Sequence, residues 1–262
     1  MAQSIFKRVE VKYLLTLKQY NQIRERLMPY MQDDEYGLST IQSIYYDTEN
    51  YDIIRDSLEK PVYKEKLRLR AYGTDITDDK KVFLELKKKY EGIVYKRRIT
   101  LTYKEAIDYM EKGIYPKEDS QILREIDYFI KFHNPTRRTF IAYDRIAMYG
   151  KEDKDIRITF DKSIRTAFDK EDFNDERKGE YLLEHGERLM EIKVPGAMPL
   201  WLANILSELK IYPHSFSKYG TACKKFMAYE GFEEEEYLLK PENDSENAYP
   251  TFGRVLCIKK FA

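Results

Sequence analysis

Three strand-like runs of this chain set a glutamate and a lysine two residues apart between aliphatics: Val9-Glu10-Val11-Lys12, Leu84-Glu85-Leu86-Lys87 and Met190-Glu191-Ile192-Lys193. In an extended strand alternate side chains share a face, so each Glu and Lys project together while the aliphatics point away. Lys66-Leu67-Arg68-Leu69-Arg70 alternates in the same way with cations only. Turned inward together, the polar faces of the strands line one space with Glu10, Lys12, Lys66, Arg68, Arg70, Glu85, Lys87, Lys96, Arg98, Arg145, Arg157, Glu191 and Lys193.

Cations dominate that lining. Unpaired charge in a dry core costs too much to fold, so such a lumen must hold water and a polyanion. Arginine forks match phosphate oxygens, and lysines supply mobile point charges. The glutamates make sense as ligands of a hard divalent cation that bridges to phosphate. Any one strand taken alone reads more readily as a charged face shown to solvent, as antiparallel sheets commonly have. For the set, bunching of charge by sign and apolar helices able to cover the aliphatic side favour convergence.

Other chemistries find little support. His133, His185 and His214 lack metal-ligand spacing, and the sequence has no Gly-x-Ser-x-Gly, Gly-x-x-x-x-Gly-Lys-Ser/Thr or Gly-x-Gly-x-x-Gly element. Ser217-Lys218-Tyr219-Gly220 opens a helix; free N–H groups beside a lysine suit phosphate, and an ordinary cap suits the same residues.

The elements needed to position these residues can be read along the chain. Strands are expected at 5–15, 40–47, 64–72, 82–88, 93–101, 138–148, 155–161 and up to Pro195. Thr16 with Gln19 and Thr102 with Glu105 are capping boxes, the first opening a helix to about Met31, the second one ending at Gly113. Further helices fit 118–132, 199–210 and 218–230. Glu91-Gly92 turns a hairpin, Tyr45-Tyr46-Asp47 leads into a polar turn, and 168–180 is a polar excursion. The fold class is α+β, an eight-stranded antiparallel β-barrel with helices packed outside. Residues 1–231 are expected to form the main domain, and 232–262, with four consecutive glutamates, an acidic linker and tail.

The 262 residues carry 46 basic and 46 acidic side chains, 35% charged, and 14% aromatic, so a core is affordable and no general attraction to nucleic acid exists. Two distant cysteines, Cys223 and Cys257, suit a reducing compartment. No run approaches the roughly 18 apolar residues of a membrane span. A cytoplasmic protein is expected, peripheral at the membrane if coupled to it.

Taken in order, Glu10-x-Lys12-Tyr13, Lys66-x-Arg68-x-Arg70, Glu85-Leu86-Lys87, Tyr143-Asp144-Arg145, Arg157-Ile158-Thr159-Phe160-Asp161, Leu189-Met190-Glu191-Ile192-Lys193 and Phe216-Ser217-Lys218-Tyr219 resemble the vacuolar transporter chaperone (VTC) catalytic domain of polyphosphate polymerases, in its stand-alone bacterial form. The resemblance spans about residues 5–230. It implies a triphosphate tunnel metalloenzyme that extends inorganic polyphosphate from ATP with Mn²⁺ or Mg²⁺. By motif, Arg68, Arg70, Lys87, Arg145 and Lys193 would grip phosphates, with Lys12, Lys66, Lys96, Arg98, Arg157, Ser217 and Lys218 as further contacts. Glu191, then Glu10 and Glu85, would hold metal, while Tyr13 and Tyr219 have packing as their alternative. The chain departs from the family's eukaryotic assemblies in having no membrane helices, so polymer export would need a membrane-protein partner. Arg8 stands where tunnel hydrolases carry a first glutamate, which favours a polymerase over a tripolyphosphatase or nucleoside triphosphatase. A non-catalytic polyphosphate-binding module is the third reading.

Overall fold

A computed structural model describes residues 9–91, 93–117, 119–168, 172–173 and 179–229. The chain divides into two compact units, residues 1–222 and 223–262. Only 223–229 of the second unit are described, as helix. Arg8 and the acidic tail of the sequence reading lie outside the described residues.

The elements run β1 (Val9–Leu15), α1 (Leu17–Leu27), β2 (Met31–Asp33), β3 (Ser39–Asp47), α2 (Asp52–Leu58), β4 (Tyr63–Tyr72), β5 (Lys81–Tyr90), β6 (Ile93–Thr102), α3 (Tyr103–Lys112), α4 (Gln121–His133), β7 (Thr136–Gly150), β8 (Arg157–Phe168), β9 (Glu180–Tyr181), β10 (Arg188–Val194), α5 (Leu200–Glu208) and α6 (Lys218–Tyr229). Eight strands form one antiparallel path, β1-β10-β8-β7-β3-β4-β5-β6, while β2 and β9 hang on β7 and β8. This is the expected α+β sheet. Its ends, β1 and β6, share no ladder among the described residues, so backbone hydrogen bonds do not close the barrel. The sheet nevertheless curls. Glu10 and Lys12 on β1 act electrostatically on Lys87 of β5, six strands away along the path.

The period of two decides which face is dry. Ile44, Leu67, Leu69, Leu84 and Leu86 pack with Ala106 and Tyr109 of α3 and Leu123, Ile126 and Phe129 of α4. Tyr13, Leu15, Ile158, Phe160, Met190 and Ile192 pack with Ile23 and Leu27 of α1 and Leu202, Ile205 and Leu206 of α5. Both clusters lie on the aliphatic side of the strands, beneath helices. Each buried aliphatic contributes about 1.5–3 kcal/mol, and this outer core holds the opposite, charged face in place. Both capping boxes form in full, and Gly113 ends α3 at φ +68°.

Two expectations need correction. The first helix stops at Leu27 rather than near Met31: Met28 is still helical as its C-cap, but Pro29 has no N–H to continue the hydrogen-bond ladder. Met31 instead pairs with Gly150. The polar turn after β3 leads into α2, whose first N–H groups are capped from outside the helix. Asp47 accepts from Ile53 N at 3.0 Å through Oδ1 and from Ile54 N at 3.0 Å through Oδ2.

Candidate functional site, a cationic lumen with internal counter-ions

The curled sheet turns the alternating charged residues toward one lumen, built around two carboxylate-centred clusters. The first is centred on Glu85 of β5, only 1% exposed. Arg68 on β4 donates to Glu85 Oε2 through Nε at 2.8 Å and approaches it again through its terminal nitrogen at 2.7 Å. From β6, Lys96 lies 2.6 Å and Arg98 3.9 Å from Oε1, and Arg70 stands 4.0 Å away. Cross-strand register explains this convergence, since Glu85 faces Arg68 on one side and Arg98 on the other. Burial pushes the Glu85 carboxyl up, but Arg68, Arg70 and Lys96 outweigh it and hold the pKa at about 2.

The second cluster joins β8, β10, β7, β1 and the start of α6. Arg145 makes a bidentate pair with Asp161, Nε to Oδ1 at 2.6 Å and a terminal nitrogen to Oδ2 at 2.7 Å. Lys218 reaches Asp161 Oδ2 at 2.6 Å and Glu191 at 3.5 Å. Burial alone would lower Lys218, yet Asp161 and Glu191 raise it. Burial would also raise Glu191, and Lys218, Lys12, Arg145 and Lys193 drive it far below the usual carboxylate range. Those four cations surround Glu191 at 3.5–3.8 Å. Glu10 shares two of them, standing 3.7 Å from both Lys12 and Lys193.

The remaining expected residues divide by commitment. Lys87 and Arg157 make no hydrogen bond or ion pair among the described residues, although both project from lumen-facing positions. Burial, opposed by Glu10 and reinforced by Arg68 and Lys12, keeps Lys87 below the ordinary lysine range. Lys66 sits 5.6 Å above the Tyr219 ring. Lys12 also donates to the Phe216 carbonyl at 2.9 Å, tying β1 to the segment before α6. Ser217 is a helix cap: its Oγ accepts from Gly220 N at 3.2 Å. Tyr13 packs in the outer core.

Three lumen residues were not singled out from sequence. Asp161, 0% exposed, is the counter-ion of Arg145 and Lys218. Tyr45 stacks on Tyr219 at 4.2 Å, and Tyr219 donates its hydroxyl to Asp47 at 2.6 Å. Tyr143 accepts from Arg70 at 3.5 Å beneath Lys218. Alternation along their strands carried the signal, because Tyr45 is in register with Arg68, and Asp161 shares a face with Arg157. Arg68 donates to the Tyr45 hydroxyl at 3.1 Å. Burial raises that phenol, but Arg68 and Arg70 bring it down to about 8. Absorbance titration of the tyrosinates should therefore show one phenol ionising near pH 8 that is missing in Tyr45→Phe. A lowest phenol transition near pH 10 in both proteins would contradict the arrangement.

Oxygen donors for a divalent ion are sparse, and no group of three or more His, Cys, Asp or Glu among the described residues could enclose one. That suits an ion carried largely by phosphate oxygens and one or two carboxylates. Glu191 fits, because its cations stay at 3.5 Å or beyond and leave its oxygens without a short contact; Glu10 is placed beside it. Glu85 is more crowded, with Arg68 at 2.7 Å from one oxygen and Lys96 at 2.6 Å from the other, and in this structure it holds cations.

No helix among the described residues is long and apolar enough to cross a membrane. No curated protein matches the sequence. Among solved structures, a candidate adenylate cyclase from Bacillus halodurans superimposes with a TM-score of 0.50 at 13% identity, covering 83% of this chain and 96% of that one. A candidate adenylate cyclase from Vibrio parahaemolyticus gives 0.45 at 12% identity over 84% and 99%. A Pyrococcus horikoshii protein gives 0.43 at 15% over 83% and 99%. The first of these likenesses supports the fold alone. The family model of the VTC domain matches residues 7–227, and on that match the chain belongs to the VTC domain family, within the triphosphate tunnel fold.

Proposed function

We propose that this protein is an ATP-dependent polyphosphate polymerase. The observation that carries the reading is a lumen in which, among the described residues, Lys87 and Arg157 lack carboxylate partners while Lys12 and Lys193 stand no nearer than 3.7 Å to Glu191. Such a surface is incomplete without a multiply charged anion. A terminal phosphate oxygen of the growing chain attacks the γ-phosphorus of ATP in line, the bond to the β–γ bridging oxygen breaks, and ADP leaves with that electron pair. The chain gains one unit, and no covalent enzyme intermediate is needed.

The residues act by positioning and by offsetting charge. Arg68 and Arg70 are held in place by Glu85, Tyr45, Ser43 and Tyr143, and present their remaining N–H groups to phosphate. Arg145 is fixed by Asp161, Lys12 and Lys193 stand 3.7–3.8 Å from Glu10 and Glu191, and Lys87, with no such contact among the described residues, can follow the oxygens as charge shifts. Lys96, Arg98 and Arg157 widen the field. Two anions repel one another on approach, and the lumen cations offset that repulsion before reaction begins. Glu191 with Glu10 would hold Mn²⁺ or Mg²⁺, which would supply further neutralisation of phosphate charge.

Purified protein given ATP and Mn²⁺ or Mg²⁺ should yield ADP together with chains that an exopolyphosphatase degrades. Orthophosphate as the sole phosphate product would overturn the polymerase in favour of a triphosphatase. Tight polyphosphate binding without turnover would reduce the protein to a binding module.

A further inference from the structure

The β4–β5 ladder obeys charge pairing on its outer face and breaks it along part of its lumen face. On the outer side Glu65 stands opposite Lys88, and deeper in the lumen Arg68 stands opposite Glu85. Between Glu85 and the end of the ladder, the lumen side sets Lys66 opposite Lys87 and then Lys64 opposite Lys89. Like charges directly across a sheet destabilise it, so two consecutive lysine rungs oppose folding. The second rung opens on a cleft of about 370 Å³ lined by Lys60, Pro61, Val62, Lys64, Lys89 and Glu91. Glu91 is the sole carboxylate of that lining, against three lysines.

The cations of the cleft remain available. Lys60 and Lys89 make no hydrogen bond or ion pair among the described residues. Lys64 uses one donor on the Ser57 carbonyl at 3.0 Å, which orients its ammonium and leaves two donors over. Burial lowers Lys64, and Lys89 and Lys60 lower it further, as expected where cations crowd without an anion. The other end of the same two strands has no lysine rung. There Arg70 faces Phe83, Tyr72 packs edge-on against Phe83 at 5.7 Å, and Arg98 lies 4.4 Å over that ring. The two ends of this pair of strands therefore differ: facing lysine rungs occupy one, whereas at the other Arg70, Arg98 and Lys81 stand around Phe83 without a lysine facing a lysine.

We propose that Lys60, Lys64 and Lys89 form a second polyanion subsite, at the mouth through which a long phosphate polymer leaves the lumen. Four residues of strand separate Lys64 from Arg68, about 13 Å, so a tripolyphosphate held at Arg68 does not span both places while a long chain does. The subsite extends the polymerase reading by giving the chain a direction, with growth at the Glu85 and Glu191 clusters and the older units over the lysine rungs.

The test compares equilibrium binding of inorganic tripolyphosphate and of long-chain polyphosphate to the full chain, without nucleotide. The variant is Lys60→Gln/Lys64→Gln/Lys89→Gln. The control is Lys104→Gln/Lys112→Gln/Lys131→Gln, which removes equal charge from α3 and α4. The subsite variant should bind long chains about tenfold more weakly, with a shallower salt dependence, and tripolyphosphate within about twofold of the parent. Its Tm should hold or rise, since the Lys64–Lys89 repulsion is relieved. Unchanged long-chain binding, equal losses for both ligands, or the same loss in the control overturns the subsite and leaves the catalytic reading standing. Failure of the unaltered protein to bind either ligand overturns both.

Discussion

Lys87→Met is expected to lower kcat/KM for ATP-dependent chain growth by about 10²–10³-fold with no loss of thermal stability, because a single preorganised cation aimed at developing phosphate charge is worth that much. The distinction from its neighbours lies in partnership. Among the described residues Lys87 has no counter-ion contact, and burial with Arg68 and Lys12 outweighs the pull of Glu10 and keeps it below the ordinary lysine range, so its charge does not stabilise the fold. Removing it takes away only what the substrate uses. Arg68→Met should instead reduce both activity and stability, because it strips the buried Glu85 of its closest pair. Steady-state kinetics alongside thermal melts separates the two. If Lys87→Met melts several degrees below the parent, its ammonium has a structural partner and the argument fails.

Asp161→Asn is expected to cost about 3 kcal/mol of folding stability, the range for breaking a buried ion pair from one side. Asp161 is wholly buried and is the short-range partner of both Arg145 and Lys218. The amide leaves two buried cations with Glu191 as their remaining carboxylate, at 3.6 Å and 3.5 Å. The pH dependence has a definite sign. Burial raises Asp161, but Lys218 and Arg145 outweigh it, so the folded pKa lies below the unfolded one. Its contribution is complete above the unfolded value near 4 and is lost as pH falls through the folded value. Denaturation in urea between pH 7 and pH 3 should therefore show a steeper acid loss in the parent than in Asp161→Asn. Parallel curves would mean that the pair contributes nothing.

The strands and their inward faces were legible because alternation is local. One look at Lys66 to Arg70 or Met190 to Lys193 fixes which side is dry. Both capping boxes were legible for the same reason, being complete within four residues. The helix α2 was not, since its cap is Asp47, six and seven residues before the N–H groups it serves, and Tyr51 at its start takes a left-handed φ of +59°. Asp161 was read only as the end of a strand. What makes it central is the return of α6 across many intervening residues to place Lys218 against it. The same long-range closure makes Glu85 the centre of a cation cluster, because sequence gives its spacing to Lys87 but not the arrival of Arg68 and Lys96.

The buried carboxylates Glu85, Asp161 and Glu191 give the lumen the logic of an ion-exchange resin already loaded with its own fixed counter-ions. An incoming anion does not meet bare positive charge; it must outcompete carboxylates that cannot diffuse away. On such terms monovalent anions such as chloride would exchange poorly, whereas the linear phosphate proposed as substrate would engage several cations at once, with a gain that grows with each unit. Discrimination by charge density, rather than by shape, is the consequence of placing so few acids so deep among so many bases.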